Sequence, residues 1–192
     1  MGLAKSRSSD SAAGFSLVEV LIATMLLATA LVMLAQLFVL STQSNIGARN
    51  TTFTAVLAQQ KLEELRALTW GFDTQGLPIS DTSTNTAVSP ETPAGGTGLA
   101  PSPAGTLGAN TDGYVDYIGQ FGDKLGGGAA PPANTVFVRR WSVEPLPSNP
   151  NNTLILQVLV FRNKERGAAN DGAGTLMPEE ARLVTVKTRK SQ

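Results

Sequence analysis

The alternation of apolar and polar positions divides the chain sharply. From Phe15 to Leu40 every residue is uncharged except Glu19, and neither Gly nor Pro interrupts the run. A helix over that span would be about 39 Å long at 1.5 Å per residue. The hydrocarbon core of a bilayer is about 30 Å thick, so residues 15–40 predict a membrane-spanning helix. After Leu40 the pattern turns polar and then periodic. Phe53, Val56 and Leu57 stand at i, i+3 and i+4, and Leu62, Leu65 and Leu68 follow in steps of three. That spacing predicts an amphipathic continuation over 41–70, with Gln59, Gln60, Lys61, Glu63, Glu64 and Arg66 on its remaining surface. Gly71 is the expected stop. A continuous helix from Phe15 to about Leu68 would reach about 80 Å.

Beyond the helix the period changes. Residues 71–134 contain "GLPISDTSTNTAVSPETPAGGTGLAPSPAGTLGANTDG", rich in Gly, Pro, Ser and Thr and poor in large apolar residues. The stretch predicts a long, variable surface loop fit for contacts or glycosylation, with room for a short helix or a pair of strands. Three runs rich in β-branched and aromatic residues then predict strands: Thr135–Glu144, Thr153–Arg162 and Arg182–Arg189. "PLPSNPNN" between the first two predicts a hairpin turn. "NKERGAANDGAGTLMPEEA" before the third predicts another exposed loop. In the third strand Val184 and Val186 are expected to face inward, with Thr185, Lys187 and Arg189 toward water. The middle strand is apolar on both faces and suits the centre of a sheet. The fold class that follows is α+β: a long N-terminal helix laid on a small antiparallel β-sheet head over 135–192. Trp70 and Phe72 are placed to staple the helix end to that head.

Composition narrows the chemistry. The 192 residues carry 15 Lys+Arg and 15 Asp+Glu, so no net field draws the chain to nucleic acid, and none is expected as a partner. With no Cys and no His, thiol catalysis, disulfides and the usual zinc sites are excluded. No cofactor, metal or enzymatic activity is expected. "ANTDGYVDYIGQFGD" contains Asn110, Asp112, Asp116 and Asp123, and Asn110, Asp112 and Gly113 match part of a calcium loop, but Gly108 and Gly119 stand where its first and last acidic ligands belong, so a turn with solvated carboxylates is expected. Arg139-Arg140-Trp141 could hold a phosphate and stack a base; a strand with one outward Arg and an aromatic anchor is the expected meaning. Gly126–Gly128 lack the Lys-Ser/Thr of a phosphate loop.

The apolar segment itself is the informative one. A removable secretory signal has an apolar core of about 7–15 residues followed by a small-residue cleavage site. Here the run is longer, and Ser11, Ala12, Ala13 and Gly14 precede it. Lys5 and Arg7 in the leader mark the cytoplasmic side. Gly14-Phe15-Ser16-Leu17-Val18-Glu19, after a short basic leader and before an unbroken apolar helix, resembles the class III signal of the type IV pilin-like family. That family includes minor pilins of type IV pili (fimbriae) and pseudopilins of type II secretion. "LAQQKLEELRAL" at 57–68 resembles the helix end of minor pilins and of the I-like minor pseudopilin. Many major pilins carry a Pro well inside this helix, near the position of Gln36 here; its absence leans toward a minor member.

The resemblance implies a set of expectations. Prepilin peptidase would cut between Gly14 and Phe15, removing 1–14, and would methylate the new amine of Phe15. Glu19 would pair with the N-terminal amine of a neighbouring subunit and set register during assembly. The fold would be pilin-like. The protein would be a minor type IV pilin, a structural subunit of a pilus or its tip. The alternatives are a minor pseudopilin of a type II secretion system, or a DNA-binding or adhesive pilin acting through its head. Its partners would be other pilins or pseudopilins, the peptidase/methylase, an inner-membrane assembly platform and the membrane. It would sit once across the inner (cytoplasmic) membrane with its head outside the cytoplasm, then in a cell-surface or periplasmic filament.

Overall fold

The computed structural model describes residues 14–81, 98–163 and 179–190. The leader before Gly14, part of the expected 71–134 loop and most of the loop after the second predicted strand lie outside them. Helix α1 runs unbroken over Leu17–Ala67, 51 residues. Two units divide the chain at Asn45/Ile46. The second, from Ile46 onward, is called the head below.

Within the head, α1 buries Thr54, Leu57, Ala58, Lys61, Leu62 and Leu65. These positions fall at i, i+3, i+4, i+7, i+8 and i+11, one stripe of a 3.6-residue helix. Two expectations fail here. Val56 lies off the stripe and is 58% exposed, whereas Lys61, assigned to the outer surface, is fully buried on it. The stripe follows geometry rather than polarity, because the sheet supplies Lys61 with a counter-charge.

Among the described residues seven strands follow: β1 Trp70–Phe72, β2 Pro78–Ser80, β3 Val115–Ile118, β4 Lys124–Gly126, β5 Phe137–Pro145, β6 Thr153–Arg162 and β7 Ala181–Thr188. The first two form a small antiparallel hairpin. Its turn is closed by the Asp73 carboxylate, which accepts from the backbone N–H of Gln75 at 2.9 Å and of Leu77 at 2.7 Å. The other five make an antiparallel sheet in the order β4-β3-β5-β6-β7. The three strands expected from sequence are β5, β6 and β7, and "PLPSNPNN" turns between the first two as expected. The sheet is nonetheless two strands wider than 135–192 allows, because β3 and β4 lie inside the segment expected to be loop. They are too short, at 4 and 3 residues, to show a period in the sequence.

The sheet has two packed faces. Toward α1, Phe137, Trp141, Val143, Leu156, Val158 and Val160 pack with Leu57, Leu62 and Leu65. The opposite face joins Val115, Tyr117, Val138, Leu159 and Phe161 to Leu107. The stretch 98–113 therefore does not float free. Leu99 and Leu107 are buried. Ser102 donates its N–H to Val143 O at 2.8 Å, and its hydroxyl accepts from Val143 N at 3.1 Å. It thereby satisfies the part of β5 that β3 is too short to reach.

Strand β7 is turned over relative to expectation. Val184 and Val186 are each 56% exposed, while Leu183, Thr185 and Lys187 are half-buried on the helix side. The reason is local. Lys187 Nζ donates to the carbonyls of Leu65 at 3.3 Å, Arg66 at 2.5 Å and Leu68 at 2.6 Å, at the end of α1. Those last carbonyls have no partner within the helix, and a cation there also complements the helix dipole. Arg189 is likewise not solvated alone. Its guanidinium lies 3.6 Å from the Trp70 ring and donates to Gly71 O and Ile79 O, pinning the β1–β2 hairpin. Lys187→Ala is expected to cost about 1–2 kcal/mol, the upper range for a partly buried cation at a helix C-terminus. A lowered thermal midpoint, with Val184→Thr on the exposed face as the near-neutral comparison, checks this.

Candidate functional site

The N-terminal unit shows what Gly14, Phe15 and Glu19 have around them. Gly14, Phe15 and Ser16 precede the helix, and Glu19 falls in its first turn. The first turn is the positive end of the helix dipole, which favours a carboxylate by about 0.3–1 kcal/mol. A Cβ built on Gly14 meets nothing within 4 Å, so nothing in the folded chain itself demands Gly there. Phe15 is 81% exposed, and the large apolar residues from Leu17 to Leu40 are open on every side of the helix. An apolar surface of that extent, all round a helix, is what a membrane-spanning segment presents. The segment is the one candidate membrane-spanning helix among the described residues. Its hydroxyls agree with that surround. Thr24 donates to Leu21 O at 3.0 Å, Thr29 to Leu26 O at 2.8 Å and Thr42 to Phe38 O at 2.9 Å. These three hydroxyls are satisfied within the helix and ask nothing of lipid.

The head holds a second constellation, which sequence reasoning missed. Asp116 on β3 and Arg139 on β5 are direct cross-strand partners. Both side chains point toward α1 and both are fully buried, as is Lys61. Arg139 donates to Asp116 Oδ2 through Nε at 2.9 Å and Nη2 at 2.5 Å. Its Nη1 donates to Leu57 O at 3.0 Å. Lys61 Nζ lies 3.3 Å from Asp116 Oδ2 and 3.3 Å from Glu64 Oε2. It also sits 3.8 Å from the centre of the Trp141 ring. Lys124 reaches Glu64 Oε1 at 3.3 Å from β4.

The electrostatics of the cluster follow from burial. Burial pushes the Lys61 ammonium down to about 8, more than Asp116 and Glu64 can restore. Burial pushes the Asp116 carboxyl up, against the pull of Lys61 and Arg139. For Glu64 burial works the same way, but Lys61, Arg139 and Lys124 together outweigh it and hold the carboxyl below its usual range.

These contacts revise two sequence expectations. Asp116 is not a solvated carboxylate of a turn. Of the residues weighed as a calcium loop, Asn110 accepts from Arg140 Nε at 2.9 Å, Asp116 is in the core and Asp123 fills the β3–β4 turn, so they do not converge. In that turn a Cβ at Gly119 would fall 2.5 Å from Asp123 Oδ1, so a larger residue there would push the exposed Asp123 carboxylate aside. Nor does Arg139-Arg140-Trp141 present an outward Arg. All three are buried, Arg140 donating to Leu107 O at 3.1 Å on the far face, and none is open to a phosphate or a base. The readable signals were a Lys placed on an apolar stripe four residues after Leu57, and an Asp inside the run Val115-Asp116-Tyr117-Ile118.

Comparison with protein-family models, with curated proteins and with solved structures finds no match.

Proposed function

We propose that this chain is a minor type IV pilin. It is made as a single-pass membrane precursor, cut between Gly14 and Phe15, and built into a filament or its tip through its N-terminal helix. The observation that carries the reading is Gly14-Phe15-Ser16-Leu17-Val18-Glu19 in its setting. A basic leader precedes it, and the helix it opens is apolar on all sides through Leu40. Several further features support the reading. α1 continues without a break into a sheet-bearing head, the α+β arrangement that pilin-like subunits use. The one charge in the apolar run is near its front, where a partner's amine would meet it after cleavage. The hydroxyls of Thr24, Thr29 and Thr42 are satisfied within the helix, so side-chain packing is left to drive association with sister helices in lipid.

Processing is the first test. Gly14→Leu puts a branched side chain at the scissile bond, and it is expected to leave the precursor uncut. Intact mass of the protein isolated from its own host reads this directly. The wild type should lack residues 1–14 and carry a methylated Phe15, and the variant should retain the leader. Wild-type protein that keeps Met1–Gly14 in that host would end the pilin reading.

A further inference from the structure

We propose that Lys61 and Asp116 become joined by an intramolecular amide bond, a covalent cross-link between α1 and β3 inside the head. The inference stands apart from the filament reading, since it concerns only the chemistry of the core.

Four observations carry it. First, the amine and the carboxyl are both fully buried, and Nζ lies 3.3 Å from Oδ2, one bond away from the Cγ it would attack. Second, among the described residues neither Lys61 Nζ nor Asp116 Oδ1 has a hydrogen-bond partner, the nitrogen being held by ion pairs and a ring face instead. The nucleophile and the oxygen that must leave are therefore the two groups of the pair least held in place. Third, Arg139 grips the other carboxyl oxygen, Oδ2, with two donors. That oxygen bears the negative charge when nitrogen adds to Cγ, so the guanidinium sits where charge develops. Fourth, Glu64 Oε2 lies 3.3 Å from the same nitrogen, placed to take its proton. Burial shifts the pair in the direction the reaction needs, lowering Lys61 toward the free amine and raising Asp116 toward the free acid.

The step balances without any other reactant. A proton passes from the Lys61 ammonium to the Asp116 carboxylate, leaving an amine and a carboxylic acid. The Nζ lone pair adds to Cγ, forming the C–N bond and placing negative charge on Oδ2. The nitrogen releases one proton to Glu64, which returns it to the Oδ1 hydroxyl. Collapse of the oxyanion breaks the Cγ–Oδ1 bond and expels one water. Nothing is oxidised or reduced. The product replaces two opposed buried charges with one neutral amide, which removes their desolvation cost. Trp141, flat against Nζ, keeps bulk water from the bond.

The test is the mass of the full chain, purified from membranes in detergent and then denatured. The wild type is expected to be lighter by one water than its sequence and N-terminal processing dictate. Lys61→Arg and Asp116→Ala, processed identically, are expected at full mass. Chymotryptic fragments of the wild type, sequenced by tandem mass spectrometry, should contain a branch joining Lys61 to Asp116. Glu64→Gln, altered on the half-exposed helix surface, is expected to slow the loss of water by about 100-fold or more. Wild-type protein at full mass, with an unmodified Lys61 in its fragments, overturns the proposal. That reading needs no variant to fold.

Discussion

Asp116→Ala is expected to destabilise the head by at least about 3–5 kcal/mol, the cost of breaking a buried charge network by removing one partner, and loss of the proposed Lys61–Asp116 amide only widens the difference. Asp116 is the acceptor on which Arg139 and Lys61 converge, and all three side chains are closed to solvent. Without it, Arg139 keeps its bond to Leu57 O but loses two donors' worth of partner. Lys61 keeps the Trp141 face and one counter-charge, Glu64, which is partly open to solvent and shared with Lys124. Nearby water cannot repair this without opening the seam between α1 and the sheet. The same helix contains its own control. Glu63 and Arg66 form an ion pair at 2.9 Å, but both side chains are more than half exposed. Breaking such a pair by Glu63→Ala should change stability by no more than about 0.5 kcal/mol. The two pairs have similar chemistry and lie a turn apart, so burial alone predicts the difference. Denaturation followed through the near-ultraviolet signal of the head's two tryptophans, Trp70 and Trp141, measures both. Comparable midpoints for the two variants would mean that the Asp116 cluster is solvated and that its burial carries no weight.

The contrast between those pairs also explains what could be read from the sequence. Long periodic elements were legible. The apolar run from Phe15, the helical spacing through Leu65 and the strands β5 to β7 all announce themselves over eight or more residues. β3 and β4 do not, since four residues of Val-Asp-Tyr-Ile set no period and are strands only because β5 offers an edge. Facing was legible where alternation was pure and failed where a long polar side chain had a distant job. Val184 and Val186 looked like the inner residues of β7, yet the carbonyls at the end of α1 pull Lys187 inward and take the whole alternation with it. Lys61 looked like surface for the same reason. Its counter-charge is 55 residues further along the chain, and no local pattern points there. The motif at Gly14–Glu19 is the opposite case. It is legible in sequence and stays exposed in the folded chain, and under the proposed function what it fits is another molecule.

Glu19→Ala supplies the sharpest sign test of that last statement. A carboxylate deep in a bilayer costs about 2.5–3.5 kcal/mol at the centre and less near the edge. The positive end of α1 returns only about 0.3–1 kcal/mol of it. If the carboxylate merely reached back to the headgroups, removing it would make the membrane helix more comfortable and would leave assembly unchanged or improved. If instead it pairs with the amine of Phe15 on a neighbour, each subunit loses a charge contact whose measured equivalents couple by about 1.5 kcal/mol or more. Since 1.4 kcal/mol is tenfold in an equilibrium, incorporation into filaments should fall by about tenfold or more. Cleavage after Gly14 should proceed as in the wild type. Glu19→Gln separates charge from shape, because it keeps the length and the hydrogen-bonding capacity and should still lose most of the incorporation. Quantifying the processed protein in sheared filaments against that left in the membrane gives the ratio for each variant. Equal ratios for wild type and Glu19→Ala would assign the carboxylate to the lipid interface and remove it from assembly.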